Sequence, residues 1–295
     1  DLAREVGEKL GAKWYVDYEE FLRNRDLEAV VVCAPTFKHL ELISLAAREG
    51  KHVLCEGPLA QSSRDAARIL EEVKESGVLL QVGYAKRFDR GLVEMKKKLD
   101  RGEVEKPLLI SCKKIESTAV LGWRCDVDLS GGIFLDLLGE DVYLASWLIG
   151  SWPTAVSALG RALVYEEVKE RGDLDTAVLL LSFGDGSLAV LRGARRPLLQ
   201  SFYSIEILGK ETYATARFEP PAEVEIASGR GILSRIYGDI DRITRAYAVQ
   251  DSMFVSALAR GVEPPISGED GKKVVEIAEA AWRSLRSKSS VEFRV

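Results

Sequence analysis

Two carboxylates and a phenol stand at helical spacing in a strongly apolar segment of the sequence. Asp136, Glu140 and Tyr143 occupy positions i, i+4 and i+7 of a predicted helix over Ile133–Ile149, so we expect them on one face. In so apolar a helix the pattern favours the wall of a cleft, although the two acids could simply favour the positive end of the helix dipole. Neighbouring carboxylates in a medium of low dielectric raise each other's pKa, which would suit acid/base catalysis near neutral pH.

Two cations, Lys86 and Arg87, follow the predicted strand Val78–Tyr84. At the end of a strand such a pair can contact a cofactor phosphate, a substrate carboxylate or other substrate oxygens. Arg87 could equally form a local ion pair with Asp89, two positions further on. This segment is therefore a second candidate for binding or chemistry.

Two turns upstream also follow predicted strands. They contain Pro35, Thr36 and His39 after Ala29–Cys33, and Glu56, Gly57 and Pro58 after His52–Cys55. Parallel strands of a doubly wound sheet bring their carboxyl ends to one edge, where such folds hold ligands. Taken alone, Pro35 and Thr36 could merely end a strand, and His39 could cap a helix.

The elements that would position these residues alternate between helix and strand over residues 1–106. We predict helices up to Leu10 and over Tyr18–Arg25, His39–Glu49, Ser63–Ser76 and Gly91–Arg101, and strands over Trp14–Val16, Ala29–Cys33, His52–Cys55 and Val78–Tyr84. Alternation of this kind predicts an α/β domain with a parallel, doubly wound sheet.

The pattern changes after residue 106, where successive strands without intervening helices predict an α+β domain over 107–295. The predicted strands are Pro107–Glu116, Ala155–Val164, Thr176–Phe183, Ser187–Arg192, Tyr203–Leu208 and Val224–Ala227, with a hairpin turn at Asp185-Gly186. Helices over Ile243–Arg260 and Gly271–Ser287 close the chain and could pack back on the first domain. The last helix carries a core-facing apolar stripe made of Val274, Val275, Ile277, Ala278, Ala281 and Leu285.

Composition narrows the class of protein. With 295 residues, 46% of them hydrophobic, the chain can bury one large core or two ordinary ones. The net charge is −5 and no basic stripe is interleaved with aromatic residues, so we expect no nucleic-acid partner. Its apolar runs are far shorter than the roughly 20 residues that cross a bilayer, so we expect no membrane partner. Cys33, Cys55, Cys112 and Cys125 lack C-x-x-C spacing, which predicts buried free thiols, no metal site and a cytoplasmic location.

The stretch Glu28–Ala60 resembles, nearly residue for residue, the middle of the NAD(P)-dependent sugar and polyol oxidoreductases of the Gfo/Idh/MocA family. Three later segments are similar too: Gly83–Asp89 to the family's Arg-Phe-Asp segment, Gly131–Tyr143 to its Gly-Gly-x-x-x-Asp-x-x-x-His-x-x-Asp helix, and Tyr247, Gln250, Phe254 and Ala257 to its closing run. The resemblance implies a Rossmann-type doubly wound domain followed by an α+β domain with a large open, mostly antiparallel sheet. In relatives the exposed face of that sheet makes dimers or tetramers, so we expect a homodimer or homotetramer.

Two departures from the family pattern affect the expected chemistry. The family's Glu-Lys-Pro is Glu56-Gly57-Pro58 here, and Glu140 stands where the family has His. In relatives the Lys supports nicotinamide and substrate and often exchanges a proton with the reacting hydroxyl. Lys86 is therefore a candidate substitute for that Lys.

The resemblance also assigns roles to individual residues. Glu140 is the first candidate for proton transfer, with Lys86 and Tyr143 next, while Asp136 would orient substrate hydroxyls. The expected contacts with the cofactor, NAD or NADP, are Pro35, Thr36, His39, Glu56, Gly57, Pro58 and Arg87. The expected contacts with the substrate are Trp123, Arg124, Asp136 and Glu140.

No G-x-G-x-x-G motif occurs among the 25 glycines. A dinucleotide-binding fold normally begins with a strand, a glycine-rich turn and a helix whose N-terminus takes the pyrophosphate. We therefore expect the sequence to be a fragment whose phosphate-binding unit precedes it. The alternative is a short protein that has lost its cofactor site.

The predicted function is NAD(P)-dependent hydride transfer to or from a sugar, a cyclitol or a related small polar carbonyl or hydroxyl compound. One alternative is a catalytically inert relative that binds a ligand or cofactor, which would fit the joint replacement of the family's Lys and His. The other is a lyase or glycosidase that uses NAD without consuming it. The sequence does not distinguish NAD from NADP, because the residue that contacts the ribose 2′ position belongs to the second strand of such folds.

Overall fold

The structure, a computed structural model, describes residues 2–117, 122–196, 201–218, 223–228, 231–237 and 242–293. Its first sheet is parallel and contains, side by side in chain order, β1 (Ala29–Val32), β2 (His52–Glu56) and β3 (Leu80–Gly83). These short strands are rich in apolar residues, as is typical of parallel strands covered by helices. Their carboxyl ends lie at one edge, which confirms the predicted Rossmann-type arrangement.

Five helices accompany this sheet in the described residues. They are α1 (Leu2–Leu10), α2 (Tyr18–Leu22), α3 (His39–Arg48), α4 (Ser63–Ser76) and α5 (Arg90–Asp100). Helix α4 begins and ends where its sequence predicts, because the Ser62 side chain accepts from Asp65 N and Gly77 takes the left-handed conformation with φ of 66°. Single 3₁₀ turns at Thr36–Lys38 and Ala85–Phe88 follow β1 and β3.

The second sheet has nine strands in the described ranges. They are β4 (Leu109–Glu116), β5 (Pro153–Arg161), β6 (Thr176–Phe183), β7 (Leu188–Arg195), β8 (Phe202–Leu208), β9 (Thr212–Arg217), β10 (Glu223–Ser228), β11 (Gly231–Tyr237) and β12 (Val291–Glu292). Their order is β11-β10-β9-β8-β4-β7-β6-β5-β12, and only the β4–β7 pair is parallel. The predicted large, mostly antiparallel sheet is therefore confirmed.

Helices cover the inner face of this sheet. The remaining helices are α6 (Val127–Ser130), α7 (Ile133–Asp136), α8 (Gly139–Ile149), α9 (Glu166–Glu170), α10 (Arg242–Arg260) and α11 (Gly268–Ser287). The predicted stripe on α11 is buried and packs between both sheets. Just before α11 the chain pairs with β3, because Val82 N donates to Ile266 O at 3.0 Å and Gln81 forms an antiparallel bridge with Ser267.

One predicted strand is wrong, and the strands β9, β11 and β12 were not predicted. Residues Trp14–Val16 form no strand, because Trp14 packs instead against Gly7 while Val16 is exposed. Strand β9 was not predicted, since its inward positions are the small residues Ala214 and Ala216 rather than large apolar ones. Strand β11 was missed as well.

The predicted continuous helix over Ile133–Ile149 is also wrong, because it is interrupted at Leu137 and Leu138. Lys114 Nζ donates to Leu137 O at 2.9 Å, and Leu138 N bonds to Ile133 O at 3.1 Å, one residue further back than in an α-helix. A half-buried lysine on β4 therefore takes a carbonyl that a continuous helix would use itself.

The four cysteines are free thiols in the structure. Cys55, Cys112 and Cys125 are buried as predicted, whereas Cys33 is exposed because it lies just past the end of β1. Among the described helices, none combines the length and the apolar character that a membrane crossing requires.

Candidate active site

An ion pair joins the two sheets at the carboxyl edge of the first. Lys86 Nζ contacts Glu140 Oε2, and the backbone N–H of Lys86 donates to Glu140 Oε1 at 3.1 Å. Lys86 comes from the turn after β3, and Glu140 lies in the first turn of α8. Both side chains keep a little solvent contact, with exposures of 15% and 16%. We refer to the surface around this pair, at the carboxyl edge of the first sheet, as the cleft.

The charges of this pair support each other. Burial alone would lower the pKa of Lys86, but the Glu140 carboxylate outweighs it, so the pKa of Lys86 is raised. Burial alone would raise the pKa of Glu140, but the Lys86 ammonium, together with the charge of Lys114 and the hydrogen bonds from Lys86, outweighs burial, so that pKa is lowered. The expectation that a neighbouring carboxylate raises the pKa of Glu140 is therefore wrong, because its nearest charged neighbour is a cation.

A buried polar layer lies beneath the ion pair. Tyr203 Oη donates to Asp141 Oδ1 at 2.7 Å, and Lys86 Nζ lies 4.6 Å from the centre of the Tyr203 ring. Burial raises the pKa of Asp141. An ammonium over an aromatic face is attracted by the ring quadrupole, so Tyr203 supports Lys86 from the side opposite the cleft.

Asp136 belongs to a separate ionic cluster. Asp136 Oδ2 accepts from Arg195 Nη2 at 2.6 Å and from Arg124 Nη2 at 2.9 Å. Arg124 Nη2 also donates to Glu116 Oε1 at 3.1 Å, and its side chain is one-third exposed. Arg124 is therefore the most exposed member of this cluster, and the Asp136 side chain is buried beneath it.

Tyr143 and Arg87 lie below the cleft floor. The Tyr143 ring is buried and stacks on Tyr84 with ring centres 5.2 Å apart, and burial raises its pKa to about 12. The Arg87 guanidinium lies 3.8 Å from the centre of the Trp147 ring. Since helix α7 ends before α8 begins, the predicted alignment of Tyr143 with Asp136 and Glu140 on one helix face is wrong.

The two turns of the first sheet meet through a buried histidine. His39 Nδ1 lies 3.0 Å from Pro58 O, and His39 Nε2 lies 2.8 Å from Ala34 O. Burial lowers the pKa of His39. Its ring is only 2% exposed, so it fixes Pro35 against Pro58 from behind rather than facing a ligand.

Glu56 stands at the end of β2 and is held by helix α10. Gln250 Nε2 donates to Glu56 Oε1 at 2.8 Å, and the Gln250 side chain is fully buried. Burial raises the pKa of Glu56, and the charge of Glu140 contributes in the same direction. The half-exposed Tyr247 ring lies one turn before Gln250 on the same helix. Helix α10 therefore borders the carboxyl edge.

Gly57 has no room for a side chain. A Cβ atom there would lie 2.8 Å from Tyr84 Cδ1, still closer to Tyr84 Cε1, and 3.0 Å from Gly83 O. The Tyr84 ring is 3% exposed and fills this space. A lysine at position 57 would require Tyr84 to move, and the ammonium that meets Glu140 comes from Lys86 instead.

Trp123 packs on the turn that follows β1. Its ring packs edge to face on Phe37, with ring centres 6.0 Å apart. Phe37 follows Pro35 and the buried Thr36 in the turn after β1, so this contact links that turn to Arg124. Glu56, Lys86 and Glu140 thus lie close to one another at this edge, while Trp123 and the adjacent Arg124 adjoin the turn after β1.

The carboxyl edge of the first sheet fits a flat, partly polar ring such as nicotinamide. Ala34, Pro35 and the exposed Gly57 present small surfaces, and Glu56 with Gln250 supplies a carboxyl and a carboxamide beside them. These residues could hold a nicotinamide cofactor against the edge, as in other doubly wound folds.

Sequence reasoning missed several residues of the site. Arg195, Asp173 and Tyr203 are buried polar residues, although none was predicted to take part. A signal existed for Arg195, because Ala189 and Leu191 point inward on β7 and alternation places residue 195 on the same face. A charged residue at an inward position is rare, so it indicates an oppositely charged partner inside the protein.

Comparison with known proteins places this geometry among dehydrogenases. Residues 2–84 match the model of an oxidoreductase family with an NAD-binding Rossmann fold, and residues 92–215 match a GFO/IDH/MocA C-terminal domain. The chain is 34% identical to myo-inositol 2-dehydrogenase of Thermotoga maritima, over 99% of this chain and 88% of the relative. It is 30% identical to scyllo-inositol 2-dehydrogenase (NAD(+)) of Bacillus subtilis, over 99% and 86%. The crystal structure of a probable dehydrogenase from Thermotoga maritima superposes with a TM-score of 0.86 at 34% identity, over 99% of this chain and 88% of that one.

The close contact at Gly57 gives a first testable prediction. Gly57→Ala should lower the free energy of unfolding by about 1–3 kcal/mol, because the buried Tyr84 ring must give way to the new methyl group. Urea denaturation monitored by circular dichroism measures this change. Gly184→Ala is the matched control, since a Cβ there meets nothing closer than Thr154 Cγ2 at 3.7 Å. Equal stability of the two variants would contradict the prediction.

Proposed function

The chain belongs to the Gfo/Idh/MocA family of NAD-binding oxidoreductases, and we propose that it oxidises a secondary hydroxyl of an inositol-type cyclitol with NAD. Two relatives described above are named inositol 2-dehydrogenases, which supports this substrate class. The observation that carries the proposal is the Lys86–Glu140 pair, an ionised acid and base beside the edge that fits nicotinamide.

In the proposed reaction Glu140 is the general base. Its carboxylate accepts the proton of the reacting hydroxyl, while the Lys86 ammonium stabilises the negative charge that develops on the substrate oxygen. A bound nicotinamide ring supplies the hydride acceptor. Arg124, backed by Asp136, donates to neighbouring substrate hydroxyls, and Trp123 shields the cleft from water.

The balance of charge favours an uncharged substrate. Among the described residues that line the cleft, the Lys86 ammonium is paired with Glu140, and the Arg124 guanidinium is paired with Asp136 and Glu116. A substrate carboxylate or phosphate would have to displace these partners. A neutral polyol can add hydrogen bonds to the same groups without separating any charges.

The two alternatives predicted from the sequence gain no support from these findings. The inert binder rested on loss of the family's Lys and His, whereas an ammonium and a carboxylate meet in the cleft. The relatives described above carry the names of dehydrogenases rather than of lyases or glycosidases.

The proposal is tested with protein expressed from its complete gene. Purified protein is mixed with NAD or NADP and with myo-inositol, scyllo-inositol or glucose, and the absorbance of the reduced cofactor is followed. We expect turnover with NAD and at least one inositol. Tight cofactor binding without turnover of any polyol would contradict the proposal and favour the inert binder.

Replacement of the proposed base gives a second prediction. Glu140→Gln should lower kcat by about 100-fold or more, because an amide cannot accept the hydroxyl proton. The affinity for NADH, measured by tryptophan quenching, should stay close to that of the wild type. Glu94→Gln, which changes an exposed carboxylate on α5, is the control. A wild-type kcat for Glu140→Gln would refute the assignment.

The pKa of Glu140 gives a third prediction. Because the Lys86 ammonium lowers this pKa, the carboxylate stays ionised in mild acid, and kcat/KM should fall only below about pH 4.3, the ordinary pKa of glutamate. In Lys86→Met the cation is lost while burial remains, so the pKa of Glu140 rises and the acid limb moves towards neutral pH. Profiles of kcat/KM against pH for both proteins test this, with circular dichroism as the check on folding. Superimposable acid limbs would exclude Glu140 as the base.

The open face of the second sheet supports the proposed homo-oligomer. On this outer face Leu109 lies between Leu188 and Leu208 in register, and Leu180 lies on the neighbouring strand β6. Leu180, Leu188 and Leu208 are each close to half exposed. Contiguous apolar surface of this kind is typical of protein interfaces.

We therefore expect a dimer or tetramer by light scattering, and a shift towards monomer in Leu180→Glu. Leu163→Glu is the control, because Leu163 is even more exposed than Leu180 but lies outside the sheet strands. A wild-type protein that is monomeric at micromolar concentration would contradict the prediction.

A further inference from the structure

Arg195 is the largest side chain in the described residues that is completely buried. It stands at the end of β7, where Nη2 donates to Asp136 Oδ2 at 2.6 Å and Nη1 donates to Asp173 Oδ2 at 2.7 Å. Its Nε has no partner. Burying a guanidinium is costly unless charged partners surround it, and an apolar side chain would fill the same space at lower cost. The presence of Arg195 therefore calls for an explanation other than packing.

Both carboxylates that Arg195 bridges lie at the short helix α7. Asp173 Oδ1 accepts from the backbone N–H of Ile133 at 2.8 Å, at the start of α7, and Asp136 is the last residue of α7. One guanidinium thus connects the first and last residues of this helix to β7. The planar fork of arginine suits such bridging, whereas a lysine presents a single point charge.

The start of α7 is also closely packed. Gly132 has φ of 71°, and a Cβ there would lie 2.8 Å from Asp173 Oδ1. The Trp282 indole Nε1 donates to Gly131 O at 2.9 Å. Helix α7 therefore has little freedom to move while Asp173 is held in place by Arg195.

We propose that Arg195 is a positioning residue, whose fork fixes α7 and so sets the position of Asp136 behind Arg124 in the cleft. It does not touch substrate or cofactor. The inference deepens the proposed function, since the reaction is the one proposed above. The buried end of the ionic cluster is Arg195 with Asp173, and the end that meets substrate is Arg124.

The neighbouring Arg196 provides a matched control. It follows Arg195 directly and also pairs with a buried aspartate, since Nη1 donates to Asp175 Oδ1 at 3.1 Å. The contacts of Arg196 do not include Asp136 or Asp173. Arg196→Met therefore removes a similar ion pair from the same strand end without releasing α7.

The experiment compares wild type, Arg195→Met, Arg195→Lys and Arg196→Met in kcat, KM for inositol, affinity for NADH and thermal unfolding. We expect Arg195→Met to lose about 100-fold in kcat, because a small displacement of a positioned group has effects of that size. The affinity for NADH should be unchanged, since the first sheet is intact. Arg195→Lys should lose about 10-fold, because a shorter, point-like ammonium does not reproduce the two-pronged geometry of the guanidinium. Arg196→Met should keep kcat within about threefold of the wild type while unfolding at a lower temperature.

A wild-type kcat for Arg195→Lys or Arg195→Met, together with a lowered unfolding temperature, would overturn the proposal, because it would show a purely structural role. If Arg195→Met does not fold, Arg195→Lys decides alone. Hydrogen exchange supplies a readout that needs no substrate: residues 133–138 should lose protection in the Arg195 variants and keep it in Arg196→Met. If the wild type oxidises no polyol, the proposed function fails, and unchanged protection would overturn the role of Arg195 separately.

Discussion

The ion pair between Lys86 and Glu140 is the contact on which the rest of the cleft depends. Its cation follows the last strand of the parallel sheet, and its anion begins a helix that packs on the antiparallel sheet. Neither charge would be tolerated at this depth without the other, because burial opposes the charged form of both groups. The pair therefore holds the two halves in register, and it leaves a base and a cation together at the place where a ligand can reach them.

The same principle governs the layer behind the pair, where buried charges occur in matched sets. Tyr203 with Asp141 supports the lysine, and Arg195 with Asp173 supports Asp136. Gly57 contributes because it has no side chain: the Tyr84 ring occupies the space that a Cβ atom would need. The groups proposed to act on substrate thus belong to one set of residues, and a second, buried set holds them in position, as is common in enzyme sites.

Local patterns predicted the fold better than they predicted the site. Alternating elements placed the turns at Pro35 and Glu56 and the Lys86 segment at strand ends, and all three lie at the carboxyl edge. The partners of each ion pair could not be predicted from local patterns, because Lys86 and Glu140 are separated by 54 positions in the sequence and Asp136 and Arg195 by 59. The helix break has partly the same origin, since Lys114, which takes the Leu137 carbonyl, comes from a distant strand, although Gly139 directly after the break was a local signal.

The pairing of β3 with the segment before α11 has a consequence for biosynthesis. Val82 obtains its partner carbonyl from Ile266, so one edge of the parallel sheet is completed only by residues that are synthesised much later. At ordinary rates of translation the ribosome needs on the order of 10 s to make the intervening segment. During that time the nascent first sheet presents an open strand edge, which is a template for intermolecular pairing. Chaperone protection of the growing chain is therefore most valuable between the emergence of β3 and the emergence of Ile266.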